Sequence, residues 1–266
     1  MKPNLTLAAV SLALTAAFTP PVLAADAAKP KVAQPSKGDQ ILRQMSAKLG
    51  AAQKFSFQAH REMDAALLPG SIVAQDACIG VSVQRPNKVA ARSVSERGAR
   101  RFIADGQKFT MVDEKMNVYA TVPMKTSIDG LVEKLDSVFG FTPPLAEFIV
   151  SDSYRLGFRR EAQTVSYGGR STYFAGFFNP VECDRLVLTG PEADAELWVA
   201  VSDGLPRKLV ATFKNLDGKP QLKVEFSKWN LAAPVSAANF AFTPPKGAQK
   251  IPMIPTAKTG KISKTN

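Results

Sequence analysis

The sequence predicts a mainly β fold with some α: one curved antiparallel sheet or barrel, with a helical insert packed against one of its faces. Three observations predict it. Short apolar-alternating runs recur along most of the chain, separated by turn signals such as Asp105-Gly106, Asn179-Pro180, Asp203-Gly204 and Asp217-Gly218. The β pattern breaks once, at residues 127–149, where apolar residues fall on a helical stripe instead. The helices of that insert have an apolar side that only a sheet face can cover. The chain of 266 residues is long enough for one large β domain with a real core.

The elements follow in order. Residues 39–49 predict a helix, with Asp39 as N-cap, Ile41, Leu42, Met45 and Leu49 on one side, and Gly50 as its end. Strands are expected at 54–67, 72–84, 88–96, 101–104, 107–112 and 118–123. Pro69-Gly70 and Arg85-Pro86-Asn87 supply turns between the first three. Ser127 can cap a helix carrying Ile128, Leu131, Leu135, Val138 and Phe139, with Gly140 as the C′ residue. A second helix is expected over 144–149, with proline in the first turn where no amide donor is needed, and a short third one around 152–156. Tyr167-Gly168-Gly169-Arg170 reads as a hairpin turn, followed by strands at 171–178, 183–189, 196–202, 207–214, 221–230 and 239–242.

The ends carry an address. Lys2, the apolar run 5–18, Pro20-Pro21 and the small residues before Ala25 read as a signal peptide over 1–24, cleaved on export. The run is too short to span a bilayer comfortably. Residues 25–38 have almost nothing to bury and read as a flexible linker. A single domain is expected over 39–245. Residues 246–266 read as a basic disordered tail with five lysines and no acid. This partition bears on the formal charge of +11. Lys2 contributes one, residues 25–40 one and the tail five, which leaves +4 on the core.

Composition excludes several chemistries. One histidine and two cysteines cannot build a multi-histidine, four-cysteine or iron–sulfur site on this chain, and no metal or cofactor is expected. His60 has neither a Gly-x-Ser-x-Gly elbow nor an evident acid partner in sequence, and reads as a partly exposed strand residue. No phosphate loop or dinucleotide fingerprint is present. Catalysis is not expected, and a hydrolase is the last-ranked reading. Cys78 and Cys183, with 104 residues between them, are candidates for a long-range disulfide in an oxidising compartment. The alternative is two separate thiols packed as small apolar residues.

Two features point to ligands. Arg92, Arg97, Arg100 and Arg101 lie in a stretch opposed in sequence only by Glu96, and form a candidate basic face for an envelope protein or a membrane surface. The plainer reading is a solvated face with edge-guarding charges. No nucleic acid is expected, since no recognition motif is present. The second feature is apolar surplus in strands and helices, beyond what a sheet with one wet face needs. It either thickens the core or lines a cavity between sheet and helices. The cavity candidates are Leu131, Leu135, Phe139, Leu145, Phe148, Phe174, Trp198, Phe213 and Phe226.

A set of ordered motifs adds a family resemblance. Its first half is Arg101-Phe102, the string 105–110, the string 117–120, Ile128-Asp129, Phe139-Gly140 and 144–146. Its second half is Leu197-Trp198-Val199, 206–209, Trp229-Asn230 and 240–245. Together these resemble the predicted periplasmic proteins grouped as domain of unknown function 2092, within the superfamily of LolA-like and LppX-like lipoprotein carriers. The resemblance implies an unclosed antiparallel half-barrel wrapped around a helical plug, with an apolar cavity for a lipid or the acyl chain of a lipoprotein. It implies no catalytic residues. The expectation is a periplasmic binding protein acting as carrier or sensor. The alternative is an envelope interaction module with a filled core and a basic binding face.

Overall fold

The structure is a computed structural model, and it describes residues 35–256 apart from 69–70, 144 and 175–178. The expected signal peptide, most of the linker, Pro69-Gly70 and the end of the tail lie outside the described residues.

Twelve strands form one unclosed sheet in the order β12-β6-β5-β4-β3-β2-β1-β11-β10-β9-β8-β7. The N-terminal half is a meander of β1 (Lys54–Met63), β2 (Gln75–Gln84), β3 (Lys88–Ser95), β4 (Gly98–Ala104), β5 (Lys108–Asp113) and β6 (Val118–Pro123). The C-terminal half is a second meander of β7 (Thr164–Phe174), β8 (Pro180–Thr189), β9 (Ala193–Ala200), β10 (Pro206–Phe213) and β11 (Gln221–Asn230). The two join where β1 pairs antiparallel with β11, so that Ala59 faces Phe226 and Arg61 faces Val224. β12 (Gln249–Lys250) adds a short parallel strand to the β6 edge.

Alternation assigns the faces. Phe55, Phe57, Ala59, Ile79, Val81, Val83, Leu197, Leu209, Val224 and Phe226 share one core with the helices and define the inner face. Their neighbours Ser56, Gln58, Ser82, Lys208 and Glu225 point to the outer face. Helix α1 (Lys37–Ala51) lays Leu42, Met45 and Leu49 into the core. Helix α2 (Ile128–Phe139) does the same with Ile128, Leu131 and Leu135. Ser127 caps α2, and Gly140 closes it at φ 69° as the sequence signals. The cover continues through α3 (Ala146–Ile149), a π-type turn (Ser153–Phe158) and α4 (Arg159–Glu161).

One guanidinium ties the cover together. Arg85, in the β2–β3 turn, donates to the carbonyls of Leu49 (3.3 Å), Ile149 (3.0 Å) and Val150 (3.0 Å). It thereby satisfies orphan acceptors at the C-terminal ends of both α1 and α3. Burial pulls its pKa down, and the charge of Asp129 opposes that. A second tie joins α1 to the π-type turn. Tyr154 donates to Asp39 at 2.6 Å and accepts from Arg43 at 2.6 Å, while its amide donates to buried Ser46 at 2.9 Å. Gly38 allows α1 to meet β7, since a Cβ there would sit 2.5 Å from the Ser166 carbonyl oxygen.

Several sequence expectations are corrected. The cap of α1 is Ser36 rather than Asp39, so the last residues assigned to the linker are helical. Asp39 serves instead in the first turn, paired with Arg43 at 2.7 Å. The 167–170 segment is not a hairpin. β7 runs through it with a register shift at Tyr167/Arg170 and Gly169 at φ 95°, a bulge that a glycine pair mimics in sequence. The ends of two expected strands, 65–67 and 239–240, fall in 3-10 turns instead. The tail is not free from residue 246. After β11 the chain packs Ala233, Val235 and Phe240 against Ala90 on the outer face and sets Phe242 beside Tyr119. It then adds β12 to the β6 edge and bonds Thr256 to the Val138 carbonyl at 3.0 Å. No disulfide forms between Cys78 and Cys183: both are free, one exposed and one buried. Their strands, β2 and β8, are separated by β1, β11, β10 and β9, about 24 Å at ordinary strand spacing.

The Arg85 clamp gives a direct prediction. Arg85→Met keeps the aliphatic stem but orphans three helix-end carbonyls, and should lower unfolding free energy by about 2–4 kcal/mol in urea denaturation. An unchanged midpoint would show that the helix ends find other partners.

Candidate functional site

The sheet and its helical cover do not close everywhere. Between them, at the end where β1 finishes and β11 begins, lies a groove of about 460 Å³. Its floor is the inner face of four adjacent strands: Leu188, Ala193 and Ala195, then Leu209, Ala211 and Phe213, then Leu222 and Val224, with Met63 of β1 at the side. The three alanines come from neighbouring strands. Ala195 pairs with Ala211 across β9–β10, and Ala193 with Phe213. Small side chains there leave the volume that leucines fill elsewhere on the same face. The roof is Thr142, Pro143, Leu145, Glu147, Gly157, Phe158, Glu161 and Ala162. Leu145 enters α3 at φ 62°, a left-handed position that costs a non-glycine residue about 1 kcal/mol. Its buried side chain, packed in the core, offsets that cost.

Polar groups sit at the margins. Glu147 lies on the roof, and its carboxyl pKa is raised, first by desolvation and secondarily by the nearby charge of Glu161, against a backbone hydrogen bond that lowers it. Arg61 borders the groove from β1. Its Nε is buried without a hydrogen-bond partner, and its Nη2 has one long bond, 3.4 Å, to Gln75. Desolvation lowers its pKa.

The structure sorts the nine cavity candidates. Leu145 and Phe213 line the groove. Leu131, Leu135, Phe148 and Phe226 are buried in the filled core, where Phe226 stacks on Trp229 and meets Phe57 and Phe148 at a tilt. Phe139 is half-buried against that core. Seven of the nine placements are thus corrected, and two of those seven lie off the inner core altogether. Phe174 is exposed at the end of edge strand β7. Trp198 lies on the outer face, beneath the Lys208 ammonium and beside Tyr173, Cys183 and Ala200. A run such as Leu197-Trp198-Val199 is apolar on both faces because the outer face has this small cluster of its own. Burial raises the Cys183 thiol there to about 11, and burial with the Glu225 charge raises Tyr173 to about 12.

The candidate basic face is not one face. Adjacent residues of a strand point to opposite sides. Arg92 and Arg101, paired across β3–β4, project outward, where both meet Glu114 (2.8 and 3.1 Å). Arg101 also stacks on Phe242. The Arg92 hydrogen bond is the main cause of the lowered Glu114 pKa. Arg100 points the other way and pairs with Asp113 at 3.1 Å. Arg97, in the exposed β3–β4 turn, donates to Ser71. The expected Glu96 is in none of these ion pairs, while Asp113 and Glu114 are distant in sequence. Sequence reasoning also missed Arg61 and the three alanines. The signal available was the alternation Leu209-x-Ala211-x-Phe213.

A broader depression of about 620 Å³ lies on the outer face among Ser56, Gln58, Ser82, Arg92, Lys228 and Asn230. Its lining mixes these polar groups with Phe57, Val81, Ala90 and Ile103, whereas the lining of the groove under the helices is mainly apolar, so the groove is the better candidate for an apolar ligand. Among the described residues, no three His, Cys, Asp or Glu side chains group as metal ligands, and no helix is long and apolar enough to cross a membrane.

Comparison places the chain in a family. The model for "predicted periplasmic protein (DUF2092)" matches residues 38–254. The chain belongs to the DUF2092 family. Its match covers the whole sheet, the helical cover and the strap that carries β12. Among curated proteins, none matches the sequence. Among solved structures, an uncharacterised conserved protein from Thermus thermophilus is 12% identical with a TM-score of 0.46, over 80% of this chain and 98% of that one. MucB of Pseudomonas aeruginosa, solved in complex with MucA, is 18% identical with a TM-score of 0.43, over 78% of this chain. The match spans 62% of that chain. A LolA superfamily protein from Nitrosomonas europaea is 11% identical with a TM-score of 0.36, over 77% of this chain and 98% of that one.

Glu147 makes the roof sensitive to pH. Its folded pKa lies above its unfolded value, so the folded state binds more protons between the two and stability falls as pH rises through that window. Glu147→Gln should therefore raise the melting temperature at pH 7.5 and leave it nearly unchanged at pH 4. A variant that melts lower at pH 7.5 would contradict a desolvated, disfavoured carboxylate.

Proposed function

We propose that this protein is a non-catalytic periplasmic binding protein that holds a hydrophobic ligand, a lipid or the acyl chain of a lipoprotein, between its curved sheet and its helical cover. It would act as a carrier or sensor, exported by a cleaved signal peptide. The observation that carries this reading is the groove of about 460 Å³, floored by aliphatic side chains and three alanines and roofed by helix. The volume falls within the range of small-molecule sites. Family membership, with its description as predicted periplasmic, supports the location. The sequence of residues 1–24 supports export.

The binding energy would come from burial. Each methylene removed from water contributes about 0.8 kcal/mol, so affinity should rise about fourfold per added methylene until the groove is full. Native mass spectrometry of protein purified from a periplasm should show a co-purified lipid, and a fluorescent fatty acid should bind the delipidated protein. Ala211→Trp places an indole in the groove from its floor. It should weaken fatty-acid binding at least tenfold while leaving the melting temperature within a few degrees. Unaltered binding in a folded A211W protein would move the site elsewhere. Absence of both co-purified lipid and fatty-acid binding in the wild type would end the proposal.

A further inference from the structure

The inner face changes character at Arg61. On one side, β8 to β11 present the aliphatic groove. On the other, β1 to β4 present a small, mainly polar pocket of about 120 Å³, where Arg61, Gln75, Ser93, Ser95, Arg97 and Arg100 are joined by Gly98 and Phe102. Arg61 lines both. The two spaces are thus neighbours on one face, one apolar and one basic.

The guanidiniums of this pocket are not equally used. Arg100 is paired with Asp113. Among the described residues, Arg61 and Arg97 form no ion pair with a carboxylate: each has a single neutral acceptor, Gln75 for Arg61 and Ser71 for Arg97. Other arginines with a buried Nε differ in this respect. Arg85 holds three carbonyls, Arg101 meets Glu114, and Arg185 holds Gly168 and Glu196. A half-buried cation with one long hydrogen bond is an expensive element for a fold to keep. No acidic side chain lines the small pocket. The groove's carboxylates, Glu147, Glu161 and Glu192, belong to the roof and to the β8–β9 turn, not to the strands beside Arg61.

We propose that the ligand is an anionic single-chain amphiphile, with its acyl chain in the groove and its headgroup held by Arg61 and Arg97. This rests on the apolar-groove reading and specifies the ligand class. A carboxylate or phosphate at the junction would supply Arg61 with the acceptor it lacks, and two guanidiniums suit a headgroup that accepts through more than one oxygen.

The test compares hexadecanoate with hexadecanol, which share a chain and differ in charge, by displacement of a fluorescent fatty acid at pH 8. Wild type should bind hexadecanoate about tenfold or more tightly than hexadecanol. Arg61→Gln and Arg97→Gln should each remove most of that preference, lowering hexadecanoate affinity several-fold more than hexadecanol affinity. Arg97 sits in an exposed turn, so R97Q retains the fold even if R61Q melts early, and it reads the same preference. Equal affinities in the wild type, or a full preference in a folded R61Q or R97Q protein, would overturn the headgroup assignment with the groove reading intact. Failure of both ligands to bind wild type would overturn the groove reading and this inference with it.

Discussion

Arg85 holds the helical cover of this protein in place over a sheet that would otherwise expose its inner face. It projects from the β2–β3 turn and reaches the C-terminal carbonyls of two helices that are about 100 residues apart in the chain. Those carbonyls carry the negative end of each helix and lack partners within it, so a cation is the suitable group to meet them. The Tyr154, Asp39 and Arg43 contacts then fasten the start of α1 to the π-type turn. With both ends of α1 fixed, and α3 fixed through Arg85, the roof over β8 to β11 has a set height. The groove is the space left between that roof and strands whose inward residues include three alanines.

The same two-residue period that builds the core also partitions the inner face. Rows of inward residues run across the sheet from strand to strand. One such row passes from Arg61 through Val224, Leu209 and Leu197 to Leu186. It begins at a cation and becomes aliphatic within one strand. The neighbouring row from Met63 through Leu222, Ala211 and Ala195 to Leu188 is apolar throughout and has the smallest side chains at its centre. A long apolar chain lying along the second row would have its end beside the first residue of the row above it. The outer face follows a different logic. There the charges of Arg92 and Arg101 are met by Glu114 and covered by the strap that carries Phe242, so they serve the fold before any partner.

Much of the fold is legible in the sequence because its signals are local. Ser127 and Gly140 bracket α2 through side-chain capping and a left-handed C′ residue, and Asp105-Gly106 turns β4 into β5. Local signals fail where a residue's role is set by something distant. Gly168-Gly169 has turn chemistry, but pairing with β8 across the whole strand makes it a bulge. The 246–256 segment has a disordered composition, yet its backbone finds the free edge of β6 and the end of α2. Trp198 and Phe174 look like cavity residues because hydrophobicity alone does not state which face or which end of a strand they occupy. The groove itself is least legible. It is made by the absence of bulk at Ala193, Ala195 and Ala211, and only the register of β9 against β10 brings those absences together.

The central claim is that an apolar chain lies on the inner face of β8 to β11, beneath the helices. Paramagnetic relaxation by a fatty acid carrying a nitroxide near its methyl end tests it most directly, read on methyl resonances of the delipidated protein. The account predicts the strongest broadening at Leu188, Leu209 and Leu222, and distinctly weaker broadening at Val187 and Val210 of the same sheet, which face outward. Equal broadening on both faces, or broadening confined to the outer face, would contradict it.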